Sequence, residues 1–370
     1  MSFATTIIRW HAKYGRTGLP WQNKRDPYAI WVSEIMLQQT QVSTVKERYQ
    51  LFMKRFPTIK SLANAQIDEV MALWSGLGYY SRARNLHRCA QTIMTEFSGE
   101  FPRNIDQLES LPGIGRSTAG AIAAFAYQAH TPILDANVKR VLSRFFGIAG
   151  DLQNQKTTKE LWLKAQELLP KSAEKMPVYT QALMDFGATW CTPKQAKCMA
   201  EPRAQCPMMK SCFAYQSNRV YEIPAKKKKS VSPSFQTQMF LVECGEFVLL
   251  ERRPPKAIWG GLYSLLELPW EQLDVAPVKI TLHNAPKLIK QTVLGEQQIS
   301  INDRQIISVT ACNPIDHIFS HRRLKIYPHI LQLKKKWSLT PGNLMWVKKS
   351  HLGQIGLPQP IRLFLESSSR

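Results

Sequence analysis

The sequence lacks an apolar run long enough to cross a membrane. Its longest apolar stretch, residues 119–129, is about half as long as a bilayer-spanning helix needs to be. The first 16 residues also lack the apolar block of a secretory signal peptide. We therefore expect a soluble, intracellular protein that does not bind membranes.

Acidic residues are scarce relative to basic ones. The chain has 27 acidic residues against 49 lysines and arginines, a net charge of +22 and an isoelectric point near 9.8. This excess is larger than solubility requires and favours a polyanionic partner, foremost a nucleic acid. Hydrophobic residues make up 44% of the 370 positions, which is enough for two folded domains and excludes a disordered chain.

The cysteines do not have the distribution of a disulfide scaffold. Four of the seven are clustered, and these are Cys191, Cys198, Cys206 and Cys212. Four thiolates at this spacing suit a zinc ion or an iron–sulfur cluster in a reducing compartment, and the ligand types leave both open. Cys89, Cys244 and Cys312 are predicted to be small buried hydrophobes.

The pattern changes from helical to extended part-way along the chain. Residues 81–97 repeat apolar side chains at helical spacing, with Ser81 as an N-cap candidate. Residues 221–234 combine prolines, serines and four consecutive lysines, which predicts an exposed linker. Strand-like patterns follow at 235–255, 300–310 and 322–333. We expect a helical first part and an α+β second part.

The segment LPGIGRSTAG, residues 111–120, places two glycines directly before a predicted helix. A tight hairpin here exposes backbone N–H groups at a helix N-terminus, where a phosphate can dock without any base being read. A plain turn between helices is the alternative. Further candidates for phosphate contact, against a solvated helix face, are Arg82, Arg84, Lys139 and Arg140.

Two carboxylates lie at predicted helix positions that affect their pKa values. Asp135 precedes an apolar helical stripe, and at such an N-cap the helix dipole and amide hydrogen bonds favour the ionised form. Glu34 lies among apolar residues in a helix that Asp26 caps, and burial there raises its pKa toward that of a proton donor. The alternatives are an ordinary N-cap and a solvent-exposed glutamate.

Five stretches in this order resemble the helix-hairpin-helix DNA glycosylases, and among them the adenine DNA glycosylases of the MutY type. They are SEIMLQQTQV, GLGYYSRARNL, LPGIGRSTAG, ILDANVKRVL and the cysteine cluster. Residues 253–269 and 319–328 resemble the C-terminal domain of that family. The resemblance implies a DNA glycosylase that removes adenine opposite 8-oxoguanine, and also opposite guanine, from double-stranded DNA.

The same resemblance implies the architecture. It predicts a six-helix barrel with a helix-hairpin-helix at about 21–133, and a [4Fe–4S] cluster domain made of the N-terminal helix and about 134–220. After the linker 221–234, a Nudix-like α+β domain at 235–370 recognises 8-oxoguanine. We expect a bacterial, cytoplasmic, nucleoid-associated monomer.

The resemblance also assigns roles to side chains. Glu34 corresponds to the acid that protonates adenine, Asp135 to the carboxylate that stabilises the oxocarbenium ion and helps to position water, and Asn137 to a supporting polar group. The four clustered cysteines correspond to the cluster ligands. Substrate or DNA contacts are expected from Trp21, Gln39, Thr40, Leu77, Tyr79, Gly113, Gly115, Ser117, Gln181, Phe319, Ser320 and His321. Of these, Trp21 and Gln181 would line the adenine pocket, Gln39 and Tyr79 would enter the duplex, and the last three would contact 8-oxoguanine.

Several positions depart from related patterns. Ser117 stands where endonuclease III-type enzymes carry a lysine that forms a Schiff base, so water-dependent, monofunctional cleavage is expected. The alternatives are a bifunctional glycosylase of oxidised pyrimidines and a non-catalytic DNA-binding protein. Ala136 replaces a glycine, Gln181 replaces a glutamate of some relatives, and residues 199–205 enlarge the loop between two cysteines. Residues 270–284 lack the acidic helix of Nudix hydrolases, so pyrophosphate hydrolysis is not expected.

Overall fold

The computed structural model describes most of the chain and divides it into two compact units. The described residues are 2–22, 24–200, 206–225, 232–273, 276–297, 301–319 and 321–368. One unit, here called the helical unit, comprises Met1–Asn64 and Asn85–Lys229; the other, the sheet unit, comprises Ala65–Arg84 and Ser230–Arg370. The finer division into barrel, cluster domain and linker stays a prediction.

Helices follow one another along the first part of the chain. They are α1 Phe3–Tyr14, α2 Pro27–Leu37, α3 Val42–Arg55, α4 Ile59–Ala63, α5 Ile67–Leu73, α6 Ser81–Glu96, α7 Ile105–Ser110, α8 Arg116–Tyr127, α9 Ala136–Phe146, α10 Gln155–Glu167, α11 Met176–Thr189 and α12 Phe213–Gln216. Helix α5 and the first turn of α6 belong to the sheet unit. Within the described residues, no helix has both the length and the apolar character that crossing a bilayer requires.

The predicted helix at 81–97 is confirmed as α6. Its apolar face is buried, with Ala83, Leu86 and Ile93 at 1% exposure or less. Ser81 is the first helical residue and not the cap, an offset of one position that the apolar period does not determine. A second apolar core joins α1, α8, α9, α10 and α11 through buried residues such as Trp10, Met176 and Phe186. This core fixes the start of α9 and the middle of α11, which both carry site residues.

The sheet unit is built on a mixed sheet. Its strands are β1 Ser234–Cys244, β2 Phe247–Arg252, β3 Tyr263–Ser264, β4 Leu266–Glu267, β5 Glu271–Gln272, β6 Ile306–Ala311, β7 Ile315–Ile318, β8 Arg323–Leu333 and β9 Leu344–Lys348, with helices α13 Ala285–Ile289 and α14 Gln359–Ser368. The main path runs β3-β2-β1-β8-β6. Strands β1 and β8 pair in parallel, from Ser234 opposite Arg323 to Glu243 opposite Gln332.

The strand predictions agree with this sheet in most places. The β1–β2 hairpin turns at Gly245, whose φ of 56° is left-handed. Strand β8 matches the predicted 322–333, whereas β6 begins only at Ile306, because a 3-10 turn occupies Asp303–Gln305. Cys89 is buried as expected, but Cys244 and Cys312 are only half-buried, since each lies at a strand end.

Candidate active site

A cavity of about 450 Å³ lies in the helical unit beside α2, within the size range of about 300–1,000 Å³ that is usual for small-molecule sites. Glu34, Trp21 and Gln181, all predicted from the sequence, line it together with Arg16. The indole of Trp21 is buried and meets the Tyr49 ring edge-on, with centroids 5.4 Å apart. The structure therefore brings the predicted acid and both predicted pocket residues together.

Glu34 projects from the middle of α2. The helix starts at Pro27, and the Asp26 carboxylate caps it by accepting a hydrogen bond of 3.0 Å from the Tyr28 N–H. Burial, and to a smaller degree the charge of nearby Asp135, raise the pKa of Glu34 to about 8. A glutamic acid with this pKa is mostly protonated at neutral pH and can act as a proton donor.

Asp135 is the N-cap of α9, as expected. Its Oδ1 accepts a hydrogen bond of 2.7 Å from the Val138 N–H. Burial raises the pKa of Asp135 above its ordinary value; the backbone hydrogen bonds from Val138 and Asn137, as expected of a cap, and the charge of Arg140 act in the opposite direction and offset part of that rise. Ala136 is the first residue of the helix and is exposed, so its methyl group needs no special space in the free protein.

The glycine hairpin lies between α7 and α8. Gly113 has a φ of 81°, and a Cβ there would lie 2.7 Å from the Asn85 Cβ, so glycine is required. Gly115 caps α8, and both glycines are exposed, as a phosphate-binding hairpin needs. Behind them, the Ser117 hydroxyl accepts a hydrogen bond of 3.0 Å from the Leu134 N–H. Ser117 therefore supports the backbone that leads directly to the N-cap of α9.

Asn137 is held between α9 and α11. Its Oδ1 accepts a hydrogen bond of 2.8 Å from Arg140 Nη2, which also donates to the Gly187 carbonyl at 2.6 Å. Arg140 Nε donates to the Cys191 carbonyl at 2.7 Å. A Cβ on Gly187 would lie 2.7 Å from the Asn137 Cβ. Close packing of the two helices thus fixes this polar group next to the cap residue.

The basic side chains proposed for phosphate contact have internal partners. Besides Arg140, Lys139 Nζ lies 3.3 Å from the Leu152 carbonyl oxygen. In the sheet unit, Arg82 is 9% exposed and donates to the Leu77 carbonyl at 2.9 Å, while Arg84 donates to the Gly260 carbonyl. The sequence does not show which basic side chains will lie near a backbone carbonyl in the folded protein. These residues were therefore expected at the surface.

The residues expected to enter the duplex have unusual backbones. Gln39, in the helical unit, and Tyr79, in the sheet unit, are exposed and have φ values of 55° and 45°. Left-handed backbone at non-glycine residues costs free energy and concentrates at functional sites. Beside them, Thr40 donates its hydroxyl to the Gln38 carbonyl at 3.2 Å, and Leu77 is buried at 4% exposure.

The four clustered cysteines line one small cavity of the helical unit. Burial, with a smaller contribution from neighbouring thiolates, raises the pKa of Cys206 to about 12 and that of Cys198 to about 11. Arg144 Nη1 lies 3.4 Å from the Cys191 sulfur. In the described part of the chain, no three Cys, His, Asp or Glu side chains are arranged to hold one metal ion. Positions 201–205 of the enlarged loop lie outside the described residues.

The expected 8-oxoguanine loop follows β7 in the sheet unit. The Phe319 ring is half-buried and lies perpendicular to His317, with centroids 4.5 Å apart, and 5.6 Å from the ring of Trp259. His321 is exposed, and Ser320 lies outside the described residues. The aromatic neighbours fix the first residue of the loop.

The sequence interpretation missed Asp185, a buried carboxylate in α11. It has 0% exposure and accepts hydrogen bonds from the backbone N–H and the guanidinium of Arg16. The available signal was that Asp185 is the only charged residue in the sequence of α11. Its role is not readable from the sequence, because its partner lies 169 positions away.

Two family models match the chain: the HhH-GPD superfamily base excision DNA repair protein over residues 32–167, and the NUDIX domain over residues 238–367. The chain is also 35% identical over 361 residues to the adenine DNA glycosylase of Buchnera aphidicola subsp. Baizongia pistaciae, which covers 97% of this chain and 94% of that protein. This chain belongs to the adenine DNA glycosylase family. The mouse adenine DNA glycosylase is 32% identical over 392 residues, covering 94% of this chain and 74% of its own length.

A solved structure supports the fold of part of this chain. A thermostable thymine-DNA glycosylase superposes with a TM-score of 0.52 at 31% identity, covering 58% of this chain and 95% of that one. The predicted fold class is confirmed: a helical HhH-GPD glycosylase domain precedes a Nudix-like α+β domain with a mixed sheet.

Proposed function

We propose that this chain is a monofunctional glycosylase that excises adenine mispaired with 8-oxoguanine, or with guanine, from double-stranded DNA. The observation that carries the proposal is the Glu34 carboxyl, with a pKa raised to about 8, at the wall of a cavity and near Asp135. The names of the relatives support adenine as the base. The net charge of +22 supports a DNA partner.

The two carboxyl groups divide the chemistry between them. With adenine extruded into the cavity, Glu34 donates its proton to N7, the free nitrogen of the five-membered ring. The C1′–N9 bond then breaks, its electron pair leaves with the base, and the sugar becomes an oxocarbenium ion. Ionised Asp135 stabilises this cation. Water adds to C1′ and gives its proton to Asp135, which leaves an abasic site and free adenine.

Water and not an amine completes the reaction in this proposal. A hydroxyl group cannot form an imine, and the Ser117 hydroxyl already accepts a hydrogen bond from the Leu134 N–H. Strand cleavage through a Schiff base therefore has no nucleophile at this position. Borohydride trapping of the protein on oxidised pyrimidines at a rate equal to turnover would support the bifunctional alternative instead.

The four-thiol donor set of the cysteine cavity suits a [4Fe–4S] cluster, although the described side chains are not arranged around a single metal ion. Cys191, Cys198, Cys206 and Cys212 supply four sulfur ligands around one space. Burial and mutual repulsion disfavour the thiolates there, and a bound cationic iron core offsets that cost. When bound, the cluster supplies a covalent tie between α11, α12 and the segments next to them. Brown colour with four irons per chain, and no zinc, is the expected result of purification.

The sheet unit would recognise the base opposite adenine. The proposed contact residues are the exposed His321, the half-buried Phe319 and Ser320. Pyrophosphate hydrolysis is not part of the proposal, because the described residues of 270–284 form strand β5 and irregular structure in place of an acidic metal-binding helix. The monomeric state and the cytoplasmic, nucleoid-associated location stay predictions.

Single-turnover excision on duplexes that pair adenine with 8-oxoguanine, guanine or thymine tests the proposal. We expect alkali-labile sites with the first two partners, and loss of excision with retained duplex binding in Asp135→Asn. The exposed Asp106→Asn in α7 is a matched control that should excise normally. Near-normal excision by Asp135→Asn contradicts the mechanism, and tight mismatch binding without excision by the wild type indicates a non-catalytic protein.

A further inference from the structure

Asp185 contacts three residues that line the cavity, but Asp185 itself does not line it. Its carboxylate accepts hydrogen bonds from Arg16 N and Nε, both at 2.9 Å, and from Arg16 Nη2 at 2.6 Å. Gln181 Nε2 donates to its Oδ1 at 2.8 Å, and His11 Nε2 lies 3.2 Å from its Oδ2. Arg16, Gln181 and His11 all border the cavity that contains Glu34. Asp185 thus acts from behind the cavity wall.

The ionisation of Asp185 makes it a hydrogen-bond acceptor only. Burial acts to raise its pKa, but the hydrogen bond from His11 and the charge and hydrogen bonds of Arg16 outweigh burial and bring the pKa below its ordinary value. An ionised carboxylate has no proton to donate. The Gln181 amide must therefore turn its NH₂ group toward Asp185, and its carbonyl oxygen away.

A Gln181 side-chain carbonyl oxygen held at the cavity wall accepts a hydrogen bond and cannot donate one, so it favours bases that present a donor there. The only donor on the edges of neutral adenine is its exocyclic amino group, since N1, N3 and N7 are acceptors. A base with an oxo group at the six-position places that oxygen against the Gln181 carbonyl oxygen, and both atoms are hydrogen-bond acceptors. Both oxygens are then desolvated without a donor, which costs free energy. Guanine and hypoxanthine both carry that oxo group.

We propose that Asp185 is a positioning residue that makes Gln181 an obligate acceptor and so selects a purine with an amino group, and not an oxo group, at its six-position. This inference rests on the proposed function. Asn at this position has an amide that can donate to the Gln181 carbonyl, which frees the Gln181 amide to turn its NH₂ group toward the base. Selectivity then weakens or reverses, whereas a purely structural role would slow excision of every base by the same factor.

The test compares single-turnover excision of adenine and hypoxanthine, each opposite 8-oxoguanine. We expect the wild type to favour adenine by about 100-fold or more, and Asp185→Asn to reduce that ratio by at least about 10-fold. Gln181→Leu, which removes the acceptor and leaves Arg16 bound, should also reduce the ratio. The double variant should reduce it no further than Gln181→Leu alone.

The outcomes separate the inference from the proposed function. An unchanged ratio in Asp185→Asn, with both rates lowered equally, overturns the positioning role. If Asp185→Asn does not fold, an unchanged ratio in Gln181→Leu overturns it as well. A wild type that does not excise adenine opposite 8-oxoguanine rejects the proposed function first and the inference with it.

Discussion

Replacing Glu34 with glutamine should stabilise the protein at alkaline pH while abolishing excision. The pKa of Glu34 is raised from 4.5 to about 8 in the folded protein, so folding requires a proton that the unfolded chain has already lost between these pH values. Each pKa unit corresponds to about 1.4 kcal/mol, so the carboxyl group destabilises the fold by about 3 kcal/mol at pH 7 and by about 5 kcal/mol above pH 8. The latter is an upper bound, because Glu34 lines the cavity and keeps part of its surface exposed.

The decisive feature is how the stability difference between Glu34→Gln and the wild type changes with pH. Well below pH 4.5 the group is protonated in both states, and Glu34→Gln should match the wild type. As pH rises toward 8, the wild type loses stability relative to the variant, and above 8 the difference stays constant. The glutamine side chain remains neutral throughout and fills almost the same volume.

Thermal unfolding at a fixed scan rate, at pH 5 and pH 8.5, measures this difference. We expect the melting midpoint of Glu34→Gln to exceed that of the wild type by several degrees at pH 8.5 and by little at pH 5. The exposed Glu47→Gln in α3 is the matched control, since its side chain is in water in both states. Parallel midpoints of variant and wild type at both pH values would refute the assignment of a neutral, buried acid.

Three further results follow from the structure. Gly187→Ala places a methyl group 2.7 Å from the Asn137 Cβ, so we expect a loss of about 1–3 kcal/mol in stability. Excision should be slower, while duplex affinity should be retained. An unaffected rate in single-turnover assays would show that the contact between α9 and α11 is not needed for excision. Cys206→Ser should remove the visible absorbance of the purified protein and lower its melting midpoint, while Cys89→Ser, outside the cluster, should keep the colour. Duplex affinity, measured by fluorescence anisotropy, should fall by about 100-fold or more between 50 and 200 mM salt; a flat response would exclude a phosphate-dominated interface.

Local sequence patterns determined the helices, the strands and the chemical identity of the site residues. The helical period of residues 81–97 predicted α6, because burying one face requires that spacing. The Asp26 and Asp135 caps were readable because a cap acts within three residues of its own position. The glycines at 113 and 115 and the serine at 117 were identifiable for the same reason.

Only the tertiary structure decided the electrostatics and the partners across long sequence separations. It showed that burial outweighs the cap at Asp135, since desolvation depends on the other elements packed around the group. It also showed that Arg140 and Arg82, candidates for phosphate contact or for a solvated helix face, donate hydrogen bonds to backbone carbonyls. It also joined Asp185 to Arg16 and Gln181 behind the cavity. Sequence records which groups are present, but their free energies depend on the neighbours that folding brings within hydrogen-bonding distance.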